Sequence, residues 1–141
     1  MERNFASDTL TYNIIGKCME VHNYFGKGCL EIIYKDALEI ELKNNGINFQ
    51  REVRYDVEYK GSILPHFFVA DFVINEQIIL EAKAVTSLNS EHLSQTMNYL
   101  KISGKQLGLI VNLGHSPFFK GGKGDLFKIK KGEFFYFSLI K

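Results

Sequence analysis

The chain has 141 residues, 45% of them hydrophobic and 23% charged, with only two cysteines. That length suits one domain, since domains commonly run about 100–200 residues, and the composition is too apolar for disorder. Cys18 and Cys29 are too few for a disulfide framework or a four-thiolate zinc site, and the net charge of +1 argues at first sight against a strongly basic nucleic-acid binder.

In chain order, the start MERNFASDTL is charged and polar, unlike a secretory signal. From Thr9 to Phe25 the apolar positions Leu10, Ile14, Cys18, Val21 and Phe25 recur at three- and four-residue steps, which predicts an amphipathic helix ended by Gly26-Lys27-Gly28. A second helix is expected from about Cys29 to Asn44, with Asn45-Gly46 as its stop. The period then switches to two. Phe49, Arg51, Val53, Tyr55, Val57 and Tyr59 alternate with polar residues, describing a long half-exposed strand that turns at Lys60-Gly61-Ser62. Phe67 to Ile74 and Ile78 to Ala82 are apolar runs that read as a hairpin about Asn75-Glu76-Gln77. A third helix spans about Glu91 to Ser103, capped by Ser90 or Asn89 and stopped by Gly104. Leu107 to Leu113 has the continuous apolar character of a buried, parallel-type strand. A Gly-rich loop, His115 to Asp125, and two short strands near Leu126–Lys130 and Phe134–Leu139 complete the chain. The longest uncharged stretch, Gln106 to Phe119, is too short and too broken by Gly, Asn and Pro to cross a bilayer. A cytoplasmic protein without membrane contact is the expectation.

Charge is unevenly placed. Residues 1–100 carry 9 Lys/Arg against 14 Asp/Glu, whereas residues 101–141 carry 8 lysines against Asp125 and Glu133. Two charged spots also break apolar strands: Asp71, and Glu81-Ala82-Lys83. Charges are seldom buried in strands unless paired or metal-bound, because desolvation costs several kcal/mol per ion. If Asn75-Glu76-Gln77 is a three-residue loop, Ile74 faces Ile78 and Asp71 falls opposite Glu81. Facing Cβ atoms lie ~5 Å apart, near enough for both carboxylates to hold one divalent ion. Lys83 shares the face of Glu81. Two carboxylates and a lysine so arranged suit a metal and a phosphate. A buried Asp–Lys or Glu–Lys ion pair without metal explains the same residues, and a two-residue turn would put the carboxylates on opposite faces.

The order of elements, with Asp71 followed by Glu81-Ala82-Lys83, resembles the PD-(D/E)xK nuclease superfamily, and Gly28-Cys29-Leu30-Glu31-Ile32-Ile33-Tyr34 matches the G-x-x-E-x-x-Y signature of one of its families. Flanking text agrees: Ile14-Ile15-Gly16, Glu20-Val21-His22, Leu100-Lys101 and Leu107-Gly108-Leu109. The resemblance covers roughly residues 8 to 114. It implies a single α/β domain over 1–141 with a restriction-endonuclease-like α-β-β-β-α-β core, a mixed central sheet, an extra N-terminal helix and a C-terminal β-hairpin. It implies Mg2+ or Mn2+ held by Glu31, Asp71 and Glu81, with Lys83 as catalytic lysine. Gln95 and Tyr99 match the Q-x-x-x-Y element of the RecB-like branch, where they would contact phosphate or hold Lys83. Ala70 stands where the family commonly has Pro before the Asp.

Each position also has a plainer reading. Glu31 can pair with Lys35 at i,i+4, Tyr34 can be a core residue, and Gln95 and Tyr99 can cap polar groups at the sheet edge. Arg51 faces inward and either pairs with an acid such as Glu31 or reaches phosphate. His22 reads as a core histidine, and the cysteines as small buried apolar residues. Gly121-Gly122-Lys123-Gly124 is not a P-loop, since no Ser/Thr follows the Lys. Three functions follow. The first is a metal-dependent phosphodiesterase acting on DNA in preference to RNA. The second is a nuclease-fold module that binds nucleic acid without turnover, through Lys120, Lys123 and Lys128 interleaved with Phe118, Phe119 and Phe127. The third is a protein-interaction module, a homodimer through the apolar strand Phe134-Phe135-Tyr136-Phe137.

Overall fold

The computed structural model describes residues 5–114, 124–130 and 133–139, with side chains for 9–114. Among the described residues nine elements follow one another: α1 (Phe5–Phe25), α2 (Glu31–Asn44), β1 (Phe49–Tyr59), β2 (Ser62–Ile74), β3 (Ile78–Lys83), α3 (Ser90–Ser103), β4 (Leu107–Asn112), β5 (Gly124–Lys130) and β6 (Glu133–Leu139). Strands β1 to β6 lie side by side in sequence order in one sheet. Only β3 and β4 are parallel, and α3 is the crossover that a parallel pair needs. The other neighbours are antiparallel, so the sheet is mixed. This is the restriction-endonuclease-like core, with α1 as the added helix and β5–β6 as the C-terminal hairpin.

The helices cover both faces. On one, Ile14 and Cys18 of α1 and Tyr34, Leu38 and Leu42 of α2 pack on Phe72, Ile74, Leu80 and Leu109. On the other, Leu100 of α3 packs with Phe68, Ile79 and Ile110. A fully buried Leu or Ile stabilises by roughly 1.5–3 kcal/mol, so these two clusters dominate the energetics. Helix α3 comes very close to β4, where a Cβ on Gly108 would lie 3.0 Å from the Thr96 methyl. His22 is a core residue as expected: its Nδ1 bonds the Leu113 carbonyl at 2.8 Å, while Nε2 is buried without a partner among the described residues. Cys18 is fully buried, which pushes its thiol up to about 12 and leaves it inert.

Local chemistry explains the ends of the elements. Asn89, not Ser90, caps α3: its side chain accepts from the Glu91 and His92 amides, and His92 returns the bond to the Asn89 amide. Helix α2 begins at Glu31, two residues later than expected, and Leu30 at its cap offers no side-chain acceptor. Tyr34 ties down the chain there instead. Its hydroxyl donates to the Gly26 carbonyl at 2.5 Å and accepts from the Cys29 amide at 3.2 Å. Strand β2 starts at Ser62 rather than Phe67, so β1 and β2 extend as a two-stranded arm whose Tyr59, Ile63 and Leu64 are exposed.

The β1–β2 ladder has one irregularity that matters below. Glu52 has φ 55°, a left-handed conformation costing a non-glycine residue roughly 1–2 kcal/mol. Pairing runs from Arg51↔Phe72 to Val53↔Ala70, and the ladder is silent at Glu52 and the residue facing it, Asp71. Both strands change face at this point. Phe49 and Phe72 pack under α1 and α2, whereas Val53 and Ala70, of the same parity, pack under α3. A regular strand keeps residues two apart on one face, so the kink swings the Asp71 position out of the regular alternation.

Candidate active site

The three-residue loop at Asn75-Glu76-Gln77 sets the register Ile74↔Ile78, Val73↔Ile79 and Phe72↔Leu80, and one further step brings Asp71 to Glu81. The two residues are tied together. The Asp71 amide donates to Glu81 Oε1 at 3.4 Å, and the Ala82 amide donates to Asp71 Oδ2 at 2.9 Å. Glu81 is only 2% exposed. Burial, followed by the charge and hydrogen bond of Asp71, pushes its carboxyl up to about 9, against a downward pull from the Lys83 charge. Glu81 therefore keeps its proton at neutral pH unless a cation arrives.

Glu31 reaches the same place from the first turn of α2. Its Oε1 accepts from the Ala84 amide at 3.3 Å, just beyond Lys83. Between Glu31 and Asp71 stands Lys35, whose Nζ lies 2.7 Å from Asp71 Oδ1 and 3.2 Å from Glu31 Oε2. Burial would lower the Lys35 pKa, but the hydrogen bond and charge of Asp71, then those of Glu31, outweigh it and hold the group above the usual lysine range. The four residues form one chain of contacts, Glu31–Lys35–Asp71–Glu81, the last link made by the Asp71 amide. Among the described residues, no three His, Cys, Asp or Glu side chains converge closely enough to hold a metal as they stand. The donor set nevertheless suits a hard divalent cation: all its ligating atoms are carboxylate oxygens, burial and the neighbouring Asp71 push Glu81 up, and Asp71 already binds an ammonium group.

The ends of β3 and β4 are laced together beside these groups. The Leu113 amide donates to the Lys83 carbonyl at 2.9 Å, and the Gly28 amide donates to the Gly114 carbonyl at 3.2 Å. Asn112 is fully buried and holds Val85 by two hydrogen bonds, accepting from its amide and donating to its carbonyl. Lys83 pairs with Asn112 across the ladder, is half-buried, and makes no ion pair among the described residues. Its influence on Glu81 puts its charge within Coulombic reach of the carboxylates.

The remaining candidates divide. Tyr99 stacks on Phe68 with ring centroids 3.8 Å apart, and its hydroxyl pKa is raised by burial and then by the charges of Glu81 and Asp71, so it stands within their field. Gln95, one turn earlier, is exposed in a shallow cleft with Ser90, Ser94 and Asn98, and no hydrogen bond joins it to the carboxylates. Arg51 pairs with acids, as one of its two readings had it, but the partners are Asp36 and Glu39, each at 2.7 Å, rather than Glu31. Lys120 and Lys123 lie outside the described residues, as does the side chain of Lys128. The reading of the residues missed the contact between Lys35 and Asp71. Its i,i+4 spacing from Glu31 was visible, but nothing local points to a strand 36 residues away.

No curated protein matches the chain. Among solved structures, the crystal structure of SSO0001 is similar, at 22% identity and a TM-score of 0.47. The match covers 77% of this chain and 48% of that one, so this chain spans about half the length of that protein. A family model described as the PD-(D/E)XK nuclease superfamily matches residues 8–122. With most of its length so matched, the chain belongs to the PD-(D/E)XK nuclease superfamily.

Proposed function

We propose that this protein is a divalent-metal-dependent nuclease that hydrolyses phosphodiester bonds, in DNA in preference to RNA. The observation that carries the reading is the hydrogen-bonded pair Asp71 and Glu81, with the charge of Lys83 acting on Glu81. Asp71 and Glu81, joined by Glu31, would hold Mg2+ or Mn2+. A bound ion of this kind polarises the phosphodiester and lowers the pKa of water. The protein's own groups supply the rest. Lys83, positioned by the β3–β4 ladder, neutralises charge building on the phosphate oxygens or orients the attacking water. Tyr99, within the field of these carboxylates, would donate a hydrogen bond to them or to a phosphate; Gln95, facing outward, would meet the substrate strand rather than the ion. The G-x-x-E-x-x-Y segment Gly28–Tyr34 and the Gln95/Tyr99 pair favour the corresponding family and the RecB-like branch. Residues 1–141 are read as one such domain, working in the cytoplasm.

The test is cleavage of DNA and RNA by the purified protein with Mn2+. Lys83→Ala should lower the rate by about 10²–10³, the usual cost of losing one transition-state donor, while the circular dichroism spectrum is unchanged. Wild-type activity in Lys83→Ala would remove the mechanism. A second reading has its own support: Lys35 already neutralises the carboxylates, and residues 101–141 hold a lysine excess. In that reading the protein binds nucleic acid without cleaving it. DNA binding that survives EDTA, with no cleavage under any metal, would favour it.

A further inference from the structure

We propose that Lys35 is a resident counter-ion of the carboxylate cluster, which a divalent ion must displace to bind there. The inference rests on reading Asp71, Glu81 and Glu31 as the metal ligands. Lys35 projects from the second turn of α2, and its Nζ bridges Asp71 Oδ1 at 2.7 Å and Glu31 Oε2 at 3.2 Å. The Lys35 and Asp71 side chains are only 17% and 13% exposed, so solvent screens this pair little. An Mg2+ ion bonds oxygen at about 2.0–2.1 Å, inside the shell that the ammonium occupies, so the same lone pairs of Asp71 and Glu31 cannot serve both cations.

Charge and mobility fit the role. A lysine is ordinarily protonated at neutral pH, and two carboxylates bracket this one, so the competitor is present when the ion arrives. Its four-carbon stem is flexible, so the ammonium can leave the carboxylates without any shift of α2. Lys83 stands differently: it makes no ion pair among the described residues, so the two lysines are not interchangeable. With Lys35 in place the ion-free protein avoids burying uncompensated carboxylates, at the cost of weaker affinity for the ion.

The test is Mn2+ binding to the full chain by titration calorimetry, for wild type, Lys35→Met and Lys35→Arg. Lys35→Met should bind Mn2+ at least about tenfold more tightly than wild type, and Lys35→Arg no more tightly than wild type. In EDTA, Lys35→Met should melt below wild type, and saturating Mn2+ should close the gap. Lys35→Gln gives the same comparison if the methionine variant does not fold. Wild type binding Mn2+ with unchanged or weakened affinity in Lys35→Met and Lys35→Gln would overturn this proposal and leave the metal-site reading standing. Absence of Mn2+ binding in all the variants would overturn both. Binding in Lys35→Met alone, with none in wild type, would support the proposal in its strongest form.

Discussion

Replacing Glu81 by Gln probes the electrostatics at the centre of the site. Burial and the neighbouring Asp71 push the Glu81 carboxyl up to about 9, whereas in an unfolded chain a glutamate titrates near ~4.3. Between those values the native protein holds a proton that the unfolded chain has lost. The stability this contributes is fully present below the unfolded pKa and drains away as the pH climbs toward about 9. Each pH unit of the interval is worth ~1.4 kcal/mol. The Lys83 charge pulls the other way and water reaches part of the site, so a net loss of roughly 2–4 kcal/mol is expected, about 10 °C in Tm for a domain of this size. The assay is thermal unfolding by circular dichroism in EDTA, from about pH 5 to about pH 9, the window in which linkage places the effect. Wild type should lose stability toward alkaline pH. Glu81→Gln, neutral throughout, should give a flatter profile and gain on wild type at the alkaline end. Saturating Mn2+ should flatten the wild-type profile too, because the ion offsets the charge that deprotonation creates. Equal slopes for both proteins in EDTA would refute the assignment of that proton to Glu81.

Further outcomes follow from the same contacts. Tyr34→Phe keeps the buried ring but leaves the Gly26 carbonyl and Cys29 amide without their partner, and urea titration should show a loss of about 1–3 kcal/mol. Gly114→Ala would set a Cβ 2.6 Å from the Ala84 Cα, so the backbone beside Lys83 must move; a loss of about 1–3 kcal/mol is expected, with any cleavage activity falling alongside. Arg51→Met breaks ion pairs to Asp36 and Glu39 and should cost only about 1 kcal/mol. Its affinity for DNA, measured by fluorescence anisotropy, should stay at the wild-type value; a clear drop would mean the guanidinium leaves those acids for phosphate.

Much of this architecture is written in local patterns. The Leu10–Phe25 stripe, a polar cap at Asn89 or Ser90, and the stops at Gly46 and Gly104 depend on hydrogen bonds and periodicities within one element, so the amino-acid order alone specifies them; the bond from the Asn89 amide to His92 decided for Asn89. The register of Asp71 against Glu81 was legible too, because a three-residue loop leaves one way to pair Ile74 with Ile78. Other features depend on how separate elements meet. Lys35 finds Asp71 only because α2 packs against β2, Arg51 finds Asp36 and Glu39 because the same helix also reaches β1, and the Tyr34 hydroxyl closes a loop that precedes its own helix. The face change at Glu52 and Asp71 has no periodic signature, since the residues on either side keep the same alternation. Sequence thus determined the elements and the pairing of two carboxylates. Tertiary packing decided which cation stands between Asp71 and Glu31, because through-space contacts of a few ångströms depend on helix placement and strand twist rather than on spacing along the chain.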